Sequence, residues 1–438
     1  MTPVQTQTLQ QLAAEAAARY TAANPLSRTR FERSTGFLPG GDTRTVNHYT
    51  PFPVTIVRGE GARLYDLDGH EYVDFLNDHT AGLYGHSHPV LQAAIATAAQ
   101  NGLALGGPTP NQQDFAELIC RRFPFVERVR FTNSGTEANL MAVSLARAVT
   151  ERKAVLVFDG GYHGGPLSFS GPDRRLNLPF RWIVGEYNGA GSARSLIEAH
   201  RDELACVLVE PMLGGGGCIP GTRAFLTALR DATQDGDALL IFDEVQTSRL
   251  APGGLQEALG IRADLTTFGK YLGGGASFGA FGGRADLMDR FDPRRPDHFG
   301  HAGTHNNNAL TMAAGLAGLR EVLTPSAVHR LNRRGEALRH ALNDVATRLD
   351  APAQVTGRGS IMNVHFQRTP IGCHADTAAT PQAARDLFHL EMLLAGFWIA
   401  RRGFISVSLA HDDEDCRELA RAFETFLDRH QAAIDGHP

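Results

Sequence analysis

The chain has 438 residues, of which 42% are hydrophobic and 20% are charged, and its formal net charge is -5. This composition is typical of a folded globular protein with room for one large and one smaller domain. The negative balance argues against a nucleic-acid or membrane-surface partner. The five cysteines show no CxxC spacing, so we expect neither a disulfide framework nor a zinc site, and we predict a reducing, cytoplasmic location.

The first 75 residues predict a helix followed by short strands. Ala and Leu alternate with polar residues at helical spacing as far as the segment NPLSR, residues 24–28. Residues 54–75 contain glycine-bearing turns between apolar stretches, which predicts two or three antiparallel strands. The start lacks the pattern of a signal peptide, and no apolar run approaches the length of about 20 residues that a bilayer requires.

From about residue 90, helical patterns alternate with short apolar runs. Such near-continuous apolar strands suit a parallel sheet that is covered by helices on both faces. After the first run, apolar residues three or four apart predict a helix. The runs cover residues 128–133, 153–159, 205–211 and 238–244, and the helical stripe comprises Ala138, Met141, Leu145 and Val149.

After about residue 320 the pattern is again helical, and it ends in a strand-like segment, residues 397–409, and a final helix. We therefore predict an α/β protein. Residues 76–325 form a large domain with a mainly parallel sheet between helices. Residues 1–75 and 326–438, from both chain ends, form a smaller α+β domain.

Each of the four apolar runs is followed by glycines, an aromatic residue or carboxylates. Ligands of a parallel sheet bind beyond the carboxyl ends of its strands, so these segments predict one shared site. The segments are SGTEAN (134–139), GGYHGG (160–165), PMLGGGG (211–217) and EVQTSR (244–249).

The segment from Ser134 to Thr136 has two interpretations. Small residues and a hydroxyl at the start of a helix make an anion site, best matched to a phosphate. Alternatively, Ser134 or Thr136 is simply an N-cap, with Glu137 in the first turn. Dinucleotide and P-loop patterns are absent from suitable positions.

Asp243 follows four apolar residues, so its carboxylate begins from a buried strand. A buried carboxylate needs a cation or strong donors, and a pyridinium nitrogen is the functional candidate; a helix cap is the structural one. Glu210 and Glu244 occupy similar positions and either support such a ring or bind backbone amides. Tyr162 and His163 lie in a glycine-flanked loop, where the tyrosine either covers a core edge or stacks on a flat ring.

Lys270 is one of only two lysines among 42 basic residues. Arginine serves wherever a simple positive charge suffices, but it cannot form an imine or readily release a proton. A lysine retained between TTFG and YLGGG is therefore a candidate for amine chemistry, whereas Lys153, ahead of a strand, fits a surface position. A phosphate site, a stacking aromatic, a buried Asp and an imine-forming Lys together predict pyridoxal phosphate (PLP).

The motif series resembles that of the class III (fold type I) PLP-dependent aminotransferases, in the family's order and over nearly the whole chain. It comprises NSGTEAN, GGYHG, VEPM, IFDEVQTSR, TTFGKYLGGG, FGAFGG and GTHNNN. Within the class, residues 38–75 and ARRGFISVSL resemble the bacterial β-amino acid aminotransferases that act on β-phenylalanine. The glutamate-1-semialdehyde aminomutases are close relatives.

The resemblance implies a role for each matching residue. Ser134, Gly135 and Thr136 would hold the phosphate, and Lys270 would form the imine with the cofactor. Asp243 would pair with the ring nitrogen. The remaining implied contacts are Tyr162 and Val245 on the two ring faces, Glu210 at the polar edge of the ring, and Thr304 on the phosphate of a neighbouring subunit. A homodimer with shared sites follows from this last contact.

The resemblance also implies that Arg44 and Arg402 bind substrate carboxylates, a task that suits the arginine fork. The expected reaction is a ping-pong transfer from a β-amino acid to a keto acid such as 2-oxoglutarate or pyruvate. One alternative is an aminomutase, although residues 42–46 differ from that family's stretch; another is a non-catalytic binding module. His305 replaces the Phe that is common in the related enzymes.

Overall fold

The computed structural model describes residues 8–171 and 174–436, and in these ranges no helix combines the length and apolarity needed to cross a bilayer. The helices are α1 Leu9–Ala23, α2 Pro25–Ser34, α3 Pro89–Gln100, α4 Pro110–Arg122, α5 Gly135–Thr150, α6 Ala190–Ala199, α7 Arg223–Asp235, α8 Gly254–Leu259, α9 Ala285–Met288, α10 Ala309–Ala317, α11 Pro325–Arg348, α12 Gln382–Leu394 and α13 Asp413–Asp435. The strands are β1 Ile56–Glu60, β2 Arg63–Asp66, β3 Glu71–Asp74, β4 Arg128–Thr132, β5 Ala154–Phe158, β6 Arg181–Gly185, β7 Leu204–Val209, β8 Met212–Leu213, β9 Ile219–Pro220, β10 Leu239–Asp243, β11 Leu265–Gly269, β12 Gly279–Gly283, β13 Gln354–Arg358, β14 Ile361–His365, β15 Phe397–Trp398 and β16 Phe404–Ser406.

The central sheet has seven strands in the order β4-β12-β11-β10-β7-β5-β6. Its neighbours pair in parallel, except that β12 runs antiparallel to both β11 and β4. The four apolar runs form β4, β5, β7 and β10, and the apolar stripe forms α5. The prediction of an α/β fold with a mainly parallel sheet is therefore confirmed.

Alternate residues of each central strand face opposite layers of helices. Leu240 and Phe242 of β10 lie in the core with α6, α7 and α8, whereas Leu239 and Ile241 lie in the core with α5. This period of two also determines the direction of the next side chain. Asp243 therefore falls on the α5 face of the sheet.

Residues from the two ends of the chain share a sheet. Strands β1, β2 and β3 are antiparallel as predicted, and β15 joins them by pairing in parallel with β3, Phe397 opposite Val73. The strand-like segment after residue 396 is two short strands, with Gly403 in the left-handed region between them. The domain boundaries at residues 75/76 and 325/326 remain a prediction.

Two elements differ from the expectations. The first helix ends at Ala23, beside the segment where its spacing was expected to end, but a second helix, α2, begins at Pro25 and was not predicted; proline is tolerated in the first turn of a helix. The hairpin of β13 and β14 was not predicted. Its residues mix glycine and polar side chains with apolar ones, so they carry little period-two signal.

We expect the melting temperature to fall as the pH is lowered from about 6.5 to 4, partly because of two buried histidines. Burial disfavours the charged ring and lowers the pKa of His365 and of His389 to about 4. Between about pH 6.5 and 4 the unfolded chain therefore takes up protons that the folded chain does not. The stabilising contribution of the two neutral histidines is complete above this window and is lost as the pH falls through it. Thermal melts across this pH range should show a smaller loss for His365→Gln than for the wild type. Equal losses would contradict this assignment.

Candidate active site

The carboxyl ends of five central strands meet at one edge of the sheet. Strands β4, β5, β7, β10 and β11 run in the same direction, so the residues that follow them converge. These residues are Ser134 after β4, Tyr162 after β5, Glu210 after β7, Asp243 at the end of β10 and Lys270 after β11. The structure thus brings together the residues that the sequence assigns to one shared site.

The start of α5 is both a capped helix terminus and a candidate anion site. The Ser134 hydroxyl accepts a hydrogen bond of 3.2 Å from the Glu137 amide, which confirms the predicted N-cap. A Cβ at Gly135 would lie 2.9 Å from the Val245 side chain, so the turn packs directly on Val245 and tolerates no side chain there. The first amides of the helix, from Gly135 and Thr136, need partners from outside the helix.

Asp243 is buried and receives donors on both carboxylate oxygens. Its Oδ2 accepts from Asn139 Nδ2 and lies beside His163 Nδ1, each at 2.8 Å, and its Oδ1 accepts from the Val245 amide at 3.0 Å. Asn139 is fixed in turn by the Thr267 hydroxyl at 2.7 Å. Asn139 was not predicted as a site residue. It could have been found as a polar side chain on the otherwise apolar face of α5 that packs on the sheet. Asp243 thus caps no helix, and its charge lies within a built polar cluster.

Glu210 and Glu244 both bind backbone amides. Glu210 accepts from the amides of Tyr162 at 3.0 Å and Gly214 at 2.9 Å, and Glu244 accepts from the amide of Gln256 at 3.0 Å. Burial raises the pKa of Glu210, and burial raises that of Glu244 to about 7. Glu210 therefore shapes the loop that carries Tyr162, whereas Glu244 caps α8.

Two further side chains are free to contact a ligand. The Tyr162 ring is 44% exposed, although its backbone amide is held by Glu210. Gln246 is only 8% exposed, and its Oε1 has no hydrogen-bond partner in the described residues. An unpartnered buried amide is costly, so a ligand group is the expected partner. Gln246 was not predicted; its signal was only its position three residues after Asp243.

Lys270 begins a tight turn directly after β11, with its backbone in the left-handed region at φ 53°. A non-glycine residue held in this region is uncommon and is typical of functional sites. Burial lowers the pKa of its amine; the carboxylates of Asp78 and Asp243 oppose this shift, and the charge of Arg402 adds to it. A larger fraction of the amine is therefore uncharged and nucleophilic than for an exposed lysine.

The two predicted substrate arginines contact one loop. Arg44 Nη1 lies 2.6 Å from Asp78 Oδ1, and Arg402 Nη2 lies 3.4 Å from His79 Nδ1. The neighbouring Arg401 instead pairs with Asp386, so only Arg402 of the two faces the site.

Thr304 is not brought together with these residues. Its side chain is exposed, as is that of His305, and in the part of the chain that the structure describes it donates no hydrogen bond to the site. The nearby Asn306 accepts a hydrogen bond of 3.0 Å from Asn133, which precedes Ser134. The segment therefore lies beside the anion site while Thr304 points away from its own chain's core.

These side chains fit PLP. The free amides at the start of α5 suit a phosphate, and the buried carboxylate of Asp243 suits a protonated ring nitrogen. The amine of Lys270, whose pKa is lowered by burial, suits an aldehyde. The unpartnered Oε1 of Gln246 offers an acceptor for a polar ring substituent.

Comparison with known proteins agrees with this arrangement. Residues 45–427 match the family Aminotransferase class-III. The β-phenylalanine transaminase of Variovorax paradoxus is 49% identical over 426 residues, which cover 97% of this chain and 98% of the relative. The solved structure of a β-phenylalanine aminotransferase from the same organism has a TM-score of 0.95 at 49% identity and covers 97% of this chain and 98% of the other.

A glutamate-1-semialdehyde 2,1-aminomutase from Brevibacillus brevis is 38% identical over 414 residues, covering 90% of this chain and 96% of the relative. Family, fold and site geometry agree on one conclusion. The chain belongs to the class III aminotransferases, has the fold type I architecture and is a PLP-dependent transaminase.

Proposed function

We propose that the protein transfers the amino group of a β-amino acid similar to β-phenylalanine to a keto acid, such as 2-oxoglutarate or pyruvate, by a ping-pong mechanism. The observation that carries the proposal is the 49% identity to a β-phenylalanine transaminase over 97% of the chain. Arg44 supports it too: it pairs with Asp78, whose charge acts on Lys270, and a β-amino acid carries a carboxylate for this guanidinium to bind.

In this proposal, the chain's own residues hold the cofactor. Ser134, Gly135 and Thr136 bind the phosphate, and Asp243 keeps the ring nitrogen protonated. The other contacts are those of Tyr162 and Val245 with the ring faces, of Glu210 with the polar edge through the Tyr162 loop, and of Lys270 with the aldehyde. When bound, PLP supplies a ring that accepts the electron pair released at the substrate carbon.

Lys270 is the residue that transfers protons in this proposal. Its amine has a lowered pKa, so it can accept the proton from the substrate carbon that bears the nitrogen and return it at an adjacent position. Arg44 and Arg402 bind the carboxylates of the amino donor and the keto acid and so orient them. Removing water from these groups strengthens each of the contacts.

A homodimer with shared sites is part of the proposal. The Tyr162 ring and Thr304 are exposed in a single chain, as are the apolar side chains of Leu103 and Leu105. A second copy that covers this surface would bring Thr304 to the partner's phosphate.

A cytoplasmic location is also part of the proposal. The five free thiols fit a reducing cytoplasm.

The test incubates purified protein with β-phenylalanine and 2-oxoglutarate and measures glutamate; pyruvate, with alanine as product, is assayed in parallel. Formation of glutamate or alanine supports the proposal. The B. brevis relative makes an aminomutase the second candidate. Isomerisation of glutamate-1-semialdehyde without a keto acid, together with no glutamate or alanine in the first assay, would favour that candidate.

We expect Gly279→Ala to weaken cofactor binding. A Cβ at Gly279 would lie 2.0 Å from the carbonyl oxygen of Ser134, so the variant must displace the turn that holds the phosphate. Overpacking of this kind costs about 1–3 kcal/mol, which corresponds to about a 5- to 150-fold loss of PLP affinity if the turn absorbs it. Absorbance titration with PLP measures the effect. Gly191→Ala, where a Cβ meets open space, is the control, and equal affinities for the two variants would contradict the prediction.

A further inference from the structure

Residues 77–80 form a strained loop beside the site. Asn77, Asp78, His79 and Thr80 have φ values of 48°, 43°, 52° and 82°, all in the left-handed region. Consecutive non-glycine residues persist there only when surrounding contacts hold them, and such strain clusters at functional sites. One such contact is the hydrogen bond of 2.6 Å from Asn77 Nδ2 to the Ser406 carbonyl. The loop is therefore anchored at one end. Of its next two residues, Asp78 has an exposed side chain and His79 has a buried one.

Asp78 and His79 offer different partners to the two predicted substrate arginines. Asp78 gives Arg44 a full negative charge at 2.6 Å. His79 gives Arg402 only a ring nitrogen: a guanidinium can only donate, so His79 Nδ1 is the acceptor and the ring is neutral. Burial, followed by the charge of Arg402, lowers the pKa of His79 to about 2, in agreement with a neutral ring. Arg44 is thus neutralised by its own chain, whereas this loop leaves the charge of Arg402 uncompensated.

The charge of the Asp78 carboxylate acts on Lys270. Among the charged groups acting on Lys270, Asp78 has the largest influence, ahead of Asp243. Asp78 also lines a cavity of about 440 Å³, together with Arg30 and Trp398 from the two ends of the chain. The carboxylate therefore pairs with Arg44, its charge acts on Lys270, and it borders open space into which it can withdraw.

We propose that Asp78 is an internal carboxylate ligand of Arg44, and that the carboxylate of the amino donor displaces it. The inference rests on the proposed function in one respect, the assignment of Arg44 to the donor carboxylate. Asp78 is then a specificity-determining residue: it weakens the binding of carboxylates at Arg44 and leaves no unpaired cation when a donor lacks a carboxylate.

The exposure of the pair makes the exchange feasible. The Arg44 and Asp78 side chains are 44% and 57% exposed, so their attraction is strongly screened. A substrate carboxylate can accept two parallel hydrogen bonds from the same fork, whereas Asp78 accepts only one, from Nη1. The substrate carboxylate, with two hydrogen bonds to Arg44, therefore displaces Asp78, which has one.

The test measures binding of 3-phenylpropanoate, which has the carboxylate and ring of the proposed donor but no amine, to the PLP-loaded protein by calorimetry. Asp78→Asn removes the charge and keeps a residue that tolerates the left-handed region. We expect its Kd to be about two- to fivefold lower than that of the wild type, the range set by an exposed ion pair. Glu60→Gln, which removes the acid of another exposed pair, with Arg58, is the matched control and should leave the Kd unchanged.

Two further variants complete the cycle. Arg44→Ala should weaken binding of 3-phenylpropanoate. In the double variant, Asp78→Asn should tighten this binding less than it does in the presence of Arg44, because Asp78 competes with the ligand only for Arg44. In turnover, Asp78→Asn should lower KM for β-phenylalanine. A Kd that rises or stays constant in Asp78→Asn overturns the inference, and so does an Arg44→Ala variant that binds like the wild type. Calorimetry reads the carboxylate site even if β-phenylalanine is not a donor, so the two failures are distinguishable.

Discussion

Replacing Lys270 with alanine is expected to lower kcat by about 10⁴-fold or more, because the variant loses both the nucleophile and the proton carrier. The amine is the only one at this edge of the sheet, since the other lysine of the chain, Lys153, precedes β5 at the opposite edge. Arginine cannot take its place, because a guanidinium neither forms an imine nor readily releases a proton.

Two measurements check this result. Glutamate formation from β-phenylalanine and 2-oxoglutarate gives kcat. Borohydride reduction of the PLP-loaded protein followed by peptide mass spectrometry shows which residue the cofactor is attached to. The exposed Lys153 supplies the control: Lys153→Ala should retain turnover and label residue 270. A Lys270→Ala protein that turns over at the wild-type rate, or a label on another residue of the wild type, would refute the assignment.

The central sheet was predictable because its strands are buried on both faces. The residues of β5, β7 and β10 are apolar at nearly every position, so the apolar run itself marks each strand. Strand β12 has the sequence GAFGG, and β6 is only partly buried. In these two strands the apolar pattern of the sequence is weak, although β12 is fully buried, and pairing with neighbours that are distant in the chain determines the structure.

The site could be predicted only as far as the motifs reach. Because the chain has only two lysines, Lys270 could be identified as a candidate for amine chemistry. Its position after an apolar run, like that of Asp243, predicted that the two residues share a site. The contacts between distant segments carry no such signal: Arg44 with Asp78, and Arg402 with His79, depend on how residues from the two chain ends meet the loop at residues 77–80. The choice between Arg401 and Arg402 is of the same kind, because it depends on the presence of Asp386 beside only one of them.

Asp243→Asn is expected to lower kcat by about 10²- to 10³-fold, the usual consequence of removing one preorganised electrostatic partner of a developing charge. Asn is nearly the same size and keeps one acceptor for Asn139 or the Val245 amide, so the fold should persist. The lost quantity is the negative charge that keeps the ring nitrogen protonated. A PLP analogue with a methylated ring nitrogen carries this positive charge permanently, so it should restore part of the rate in the variant.

Asp264 supplies the matched control for this prediction. It is also a buried aspartate of the central sheet, but it precedes β11 at the opposite edge and pairs with Arg230 and Arg284, each at 2.9 Å. Asp264→Asn should lower the melting temperature, because two arginines lose their shared partner, and should leave kcat close to the wild-type value. Equal losses of kcat in the two variants, with no rescue by the methylated analogue, would assign Asp243 to the stability of the sheet edge rather than to the cofactor. Rescue confined to Asp243→Asn would show that its charge acts on the ring nitrogen, because the analogue replaces only that interaction.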